Sequence, residues 1–335
     1  MPAEWEPHAA TWLAWPHERS DWPGKLATIP WVYGEVVRHL VTGERVRILV
    51  GDAAMERGAR RLLTRVGVDL ARVDFFRVPT DRSWTRDFCP LFVRRDADGD
   101  VALTNWRFNA WAKYPNWRRD DAVPSRIARR LARREWKLDV VLEGGSIDVN
   151  GRGTLLTTEE CLLDTVQARN PGLTRADLER ILGEQLGVRK VLWLGAGIAG
   201  DDTHGHVDDV ARFVDPVTIV TVVEDDPGDP NHEPLRENRE RLARMTDQDD
   251  RPLRVVTLPM PAPLFLDGRR LPASYANFYV ANGVVLVPTF NDPRDREALA
   301  VLADLFPTRQ VVGIHAVDLV WGLGTIHCMT QQEPG

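Results

Sequence analysis

The 335-residue chain is poor in cysteine, with only Cys89, Cys161 and Cys328. An odd, low count argues against a disulfide framework and points to a reducing compartment, here the cytoplasm. No apolar run approaches the roughly 18 residues a membrane span requires, so no membrane association is expected. The opening stretch MPAEWEPHAATWLAWPH lacks a basic region followed by an apolar one, so it does not read as a secretory signal. A basic excess is also missing: 43 Lys and Arg stand against 49 Asp and Glu, a formal charge of -6. That disfavours nucleic acid as a partner and is compatible with a cationic ligand. No Ser-rich or low-complexity linker divides the chain, so residues 1–335 are read as a single domain. What is abundant is apolar residues, at 43%, and tryptophan, at twelve. The first allows a large core, and the second makes an aromatic-lined pocket plausible.

Short strand-like runs alternate with helical ones. RVRILV (45–50) precedes a helical stretch that Asp52 caps and Gly67 closes. Residues 137–158 read as strands broken by glycine turns. Residues 173–187 read as a helix with a capping pair, Thr174 and Asp177, and a closing Gly187. Further strands are expected at 189–194, in a pair turning at Asp215-Pro216, in a hairpin turning at Asn282-Gly283, and at 309–317. Helices are expected at 234–246 and at 293–306, the latter opened by Pro293. A strand–turn–strand–helix block thus recurs every 50–65 residues or so, with little shared sequence. Polar clusters fall at the strand ends and turns: WTRD (84–87), EGG (143–145), DDTHGHVDD (201–209) and GTIHC (324–328). Radially repeated units would bring such clusters to one axis.

Two chemistries compete for these clusters. His204-x-His206-x-Asp208-Asp209 partly matches the ligand pattern of dinuclear zinc hydrolases. Its last position is Asp209 rather than His, and carboxylates outnumber the nitrogen donors zinc prefers. The alternative centres on Cys328, which follows Gly322 and Gly324. Those glycines would permit positive φ and close backbone approach to a ligand. Cys89 and Cys161 read as buried structural thiols by contrast. A cysteine nucleophile needs a base that the fold brings near it, and His206 is the best candidate. His327, adjacent in sequence, is expected to point away if the backbone is extended. Asp87, Glu143 and Asp208 would repel a developing oxyanion, so acyl transfer is a poor fit. They suit a planar guanidinium, which carries five donors and no acceptor and binds carboxylates bidentately. Trp84 could stack on such a cation. A protein that binds guanidines without turning them over is a third reading.

At this point the residues resemble a known family, that of the agmatine deiminases, grouped with bacterial peptidyl-arginine deiminases in the pentein superfamily. The resemblance rests on six blocks in the family's order: 1–17, 84–93, 108–128, 143–163, 200–214 and 321–334. It implies an α/β fold, a five-bladed α/β propeller of pseudo-fivefold symmetry with the site on its axis. It implies hydrolytic deimination through a covalent amidino-thioether, with agmatine giving N-carbamoylputrescine and ammonia. Another arginine-like or peptidyl-arginine substrate is the alternative, and a zinc hydrolase centred on His204 and His206 the remoter one. By this resemblance Cys328 is the nucleophile and His206 the acid–base group. Asp87 and Asp208 grip the guanidinium, Glu143 binds substrate and orients His206, and Trp84 lines the pocket. Asp202 stands where a carboxylate could meet the far amine of the substrate. The bound cation and His206 are expected to lower the Cys328 pKa. No cofactor or metal is implied, and self-association is common in the family. Phe88, Cys89, His204, Asp209 and Thr325 depart from the family pattern beside the catalytic positions, which bears on substrate choice.

Overall fold

A computed structural model describes residues 1–335 as a mixed α/β chain. Five sheets of three or four strands are built by one rule, with a small separate hairpin at residues 265–270. A short strand turns into an antiparallel partner, and a crossover with a helix then adds a parallel third strand. Leu91–Arg94, Val101–Arg107 and Glu135–Val141 form one such sheet. Asp148–Val149, Thr154–Thr158 and Lys190–Leu194 form the next. Ala211–Phe213, Thr218–Val223 and Arg254–Pro259 form the third. Tyr279–Val280, Val284–Thr289 and Gln310–His315 form the fourth. The fifth sheet joins the two ends of the chain: Gln331–Pro334 pairs antiparallel with His8–Ala14, which runs parallel to Arg45–Val50, itself parallel to Val73–Arg77. The weak sequence repeat is therefore a structural one.

Local chemistry sets the helix ends as the sequence suggests. Asp52 caps Ala53–Arg65, its carboxylate accepting from Ala54 N at 2.7 Å and Met55 N at 2.8 Å. Thr174 and Asp177 form a reciprocal capping box on Arg175–Leu186, and Gly187 closes that helix at φ 73°. The central strands are buried over most of their length, and Thr154–Thr158 is buried throughout. No helix is long and apolar enough to cross a membrane.

The repeat also positions the polar clusters. After each sheet's last parallel strand the chain passes through a short irregular or helical segment before starting the next sheet. Those five segments contain Asp87, Glu143, His206 with Asp208, Asn277, and Cys328.

Candidate active site

The segments converge on a cavity of about 430 Å³ whose lining includes Trp84, Asp87, Trp111, Asp202 and Cys328. His206, Glu143 and Asp208 are not in its wall; they are wholly buried directly beneath. His206 Nδ1 lies 3.8 Å from Asp87 Oδ1 and 4.0 Å from Asp208 Oδ1, and its Nε2 lies 3.7 Å from Glu143 Oε2. Cys328 Sγ lies 3.9 Å from Asp208 Oδ2, so sulfur and imidazole flank the same carboxylate.

Each side chain is held by identifiable contacts. Asp87, in the short helix Thr85–Phe88, accepts from Trp111 Nε1 at 2.9 Å and from Gly145 N at 3.2 Å. Gly145 is required by space: a Cβ there would lie 2.5 Å from His206 Nδ1. Asp201 shapes the His206 loop, its Oδ2 accepting from Gly205 N at 2.8 Å and His206 N at 3.0 Å. Arg169 Nε donates to Glu143 Oε1 at 3.1 Å, an ion pair sealed from solvent.

Four buried atoms of three residues in this cluster have no hydrogen-bond partner: Glu143 Oε2, Asp208 Oδ1 and both ring nitrogens of His206. Buried polar atoms are almost always satisfied, so a cluster of orphans marks a place that a ligand or a reaction completes.

Burial and charge together set the protonation states. Burial raises the Asp87 pKa to about 6 against the pull of His206, with Asp208 and Glu143 adding to the rise. Burial would also raise Glu143, yet Arg169 and His206 outweigh it and hold it at about 2. Burial would lower His206, but Asp87, Cys161 and Glu143 hold it well above its ordinary value, as imidazolium. Burial, reinforced by Asp208, Asp209 and Asp87, pushes the Cys328 thiol well above its usual range. The charges of Asp208, Asp209 and Asp87 act on the sulfur, and a bound cation would offset them.

Several sequence readings need correction. Gly322 and Gly324 do not adopt positive φ; Leu323 between them does, at 67°. The glycines are there because a Cβ at Gly322 would meet the Trp22 ring at 2.5 Å, and one at Gly324 the Trp84 ring at 2.9 Å. Trp84 lines the cavity as expected, but its ring packs on Trp22 at 5.2 Å. His327 does not point away from the site. Its Nδ1 meets Asp208 Oδ2 at 2.6 Å and its Nε2 meets Glu4 Oε2 at 2.8 Å. His204 does not join His206 in a ligand set. At φ 63° it turns to Asp164 at 3.1 Å and Glu160 at 3.7 Å. Cys161 is buried as expected, and its sulfur lies with Glu143 and His206 in a three-donor group whose atoms are all within 4.8 Å. Cys89 is a buried thiol as expected. Asp202 reaches the cavity already paired with Lys113 at 2.7 Å, Tyr114 Oη at 2.5 Å and Arg269.

Two contributors escape sequence reading. Asn277 Nδ2 lies 3.1 Å from Cys328 Sγ and 3.0 Å from Asp209 Oδ1. Its Oδ1 accepts from Thr325 Oγ1 at 2.6 Å and His327 N at 3.0 Å. The one signal was an amide inside the apolar run SYANFYVAN. Glu4, from the N-terminal segment, takes Arg86 at 3.0 Å, Arg212 at 2.9 Å and His327, cross-bracing the segments.

Fold and site together are those of a guanidine-modifying deiminase. Residues 1–334 match the Porphyromonas-type peptidyl-arginine deiminase family, and the chain belongs to it. It is 38% identical to the agmatine deiminase of Pseudomonas fluorescens, covering all of this chain and 95% of that one. The structure superposes on agmatine deiminase of Enterococcus faecalis, described as catalysing its reaction, with TM-score 0.92 and 34% identity over 100% of this chain and 95% of that one. C. jejuni agmatine deiminase with substrate bound gives TM-score 0.89 and 30% identity over 100% and 96% of the two chains.

Proposed function

We propose that this protein hydrolyses agmatine to N-carbamoylputrescine and ammonia through a covalent intermediate on Cys328. The observation that carries this reading is the unsatisfied carboxylate and imidazole atoms beneath a cavity that Cys328 and Asp87 both line. A guanidinium placed there supplies the donor that Asp208 Oδ1 lacks and a further one to Asp87, and it brings positive charge beside the sulfur.

As the cation binds, the Cys328 thiol loses its proton to solvent, and the thiolate attacks the guanidinium carbon. The His206 imidazolium gives its proton to the departing amino group, which leaves as ammonia. An amidino-thioether remains on Cys328. Neutral His206 then takes a proton from water. The hydroxide adds to the same carbon, thiolate is expelled, and the ureido product departs. Glu143 orients His206 through Nε2. Asn277 holds the sulfur in line with the carbon. Neither a metal nor an organic cofactor takes part in these steps.

Five sheets of one construction, with five linking segments meeting at one cavity, support the finer reading of the fold as a five-bladed propeller. For the tail of the substrate we place the agmatine amine at Asp202, where it would displace Lys113 or Arg269. Those cations also favour a second reading, a substrate whose tail ends in a carboxylate, such as free arginine or an arginine at the C-terminus of a peptide.

The test is an ammonia and ureido-product assay on agmatine, arginine and an arginine peptide, with Cys328→Ala as control. Turnover of agmatine that vanishes in the variant is the expected result. Equal turnover of all three would contradict a cavity this small, and activity in the variant would exclude the covalent route.

A further inference from the structure

We infer that Glu143, Cys161 and His206 form a binding site for a soft divalent cation, zinc or cadmium, and that filling it arrests the enzyme. The three residues offer a carboxylate oxygen, a sulfur and an imidazole nitrogen, each drawn from a different segment and each buried, with the atoms within 4.8 Å of one another. A tetrahedral ion with bonds of about 2.0–2.3 Å brings its donors to roughly 3.5 Å apart, so the group closes by about 1 Å around it. Donor type fits as well, since thiolate and imidazole select zinc-like ions over magnesium or calcium.

A second observation points into the same place. Glu143 Oε2 and His206 Nε2 are 3.7 Å apart, and neither has a hydrogen-bond partner. Arg169 engages Glu143 only through Oε1, which leaves Oε2 free. Cys161 sits in the middle of the helical turn Glu159–Leu163, and Thr158 Oγ1 accepts from its backbone N at 3.1 Å. That contact fixes the backbone, and the sulfur faces His206 and Glu143. This set is distinct from the His204–His206 pair, because His204 is committed to Glu160 and Asp164.

In the bound form Cys161 is a thiolate and His206 a neutral imidazole, and the displaced protons pass to bulk water. Three coordinate bonds form, and nothing is oxidised or reduced. The arrest follows from the role proposed above for His206, because a coordinated imidazole cannot pass a proton to leaving ammonia. The group is closed to solvent, so metal enters slowly and inhibition develops over time.

The binding test uses Cys328→Ala protein, in which the nucleophilic sulfur is gone. Titration with cadmium chloride should give thiolate-to-cadmium ultraviolet absorption that saturates at one ion per chain, with a rise in Tm. Both signals should persist when Cys89→Ser is added and vanish when Cys161→Ser or Cys161→Ala is added, the metal-free melts showing that these variants fold. Absorption that survives without Cys161, or that is absent with it present, overturns the site. This arm needs no turnover, so it stands apart from any failure of the deiminase reading. The inhibition test applies zinc to chains with Cys328 intact. Slow loss of activity, reversed by chelator, should need at least tenfold more zinc in Cys161→Ser, each chain measured against its own metal-free rate. Equal sensitivity of the two chains would place the inhibiting ion on Cys328 and overturn the proposed arrest.

Discussion

The side-chain amide of Asn277 stands 3.1 Å from the sulfur of Cys328, and its oxygen gathers Thr325, His327 N and, at 3.4 Å, Cys328 N. One amide thus fixes both the sulfur and the backbone turn that presents it. Asn277→Ala should lower kcat about 100-fold, the loss expected when a reacting atom is misplaced by roughly 1 Å. KM should change far less, because the proposed grip on the cation lies with Asp87 and Asp208 rather than with Asn277. Steady-state kinetics on agmatine check this, and a fall confined to KM would refute it.

Asp87 carries a stability cost. Its folded pKa of about 6 lies above the ordinary value of 3.8. The stability it contributes is therefore present below about pH 4 and lost as pH rises through 6. At pH 7 the buried charge costs roughly 3 kcal/mol, and Asp87→Asn removes it while sacrificing one hydrogen bond worth about 1 kcal/mol. The variant should gain about 1–2 kcal/mol in denaturant titration and lose turnover.

The same titration shapes the pH profile. Below about pH 6 Asp87 takes up a proton and loses its hold on a cation. The value of kcat/KM for agmatine should fall about tenfold per pH unit on that acid side. A profile flat down to pH 5 would remove Asp87 from substrate binding.

Glu143 behaves oppositely. Its pKa is held at about 2, below the ordinary 4.5, so its stabilisation is present above pH 4.5 and lost as pH falls toward 2. Glu143→Gln leaves the buried Arg169 without its counter-ion. It should cost about 3 kcal/mol at neutral pH, measured as a lower midpoint in urea.

Two glycines should respond in opposite senses. Gly322→Ala drives a methyl into the Trp22 and Trp84 rings and should cost about 1–3 kcal/mol together with activity. Gly58→Ala, on a helix with open space around it, should stabilise by about 1 kcal/mol. Paired thermal melts separate the two.

At the cavity mouth, Arg269 is half exposed and binds Asp202. Arg269→Ala should lower KM for agmatine severalfold and raise it for arginine, because one competitor for the carboxylate is gone. A parallel change for both substrates would separate Asp202 from tail recognition.

Much of this protein is written in short stretches of its sequence. Asp52, Thr174 with Asp177, and Gly187 end their helices through contacts only a few residues away, which is why they could be read directly. The carboxylates and the cysteine proposed for the site could be singled out for a related reason: their residue types restrict the chemistry whatever the fold. Tertiary structure decided the rest. Asn277 reaches Cys328 across 51 positions and Glu4 reaches His327 across 323, contacts that no local period encodes. Whether Cys328 is a thiol, whether Asp202 is free, and why Gly322 lacks a side chain all depend on neighbours brought in from other sheets. Burial and charge act through space, and the sequence orders residues only along the chain.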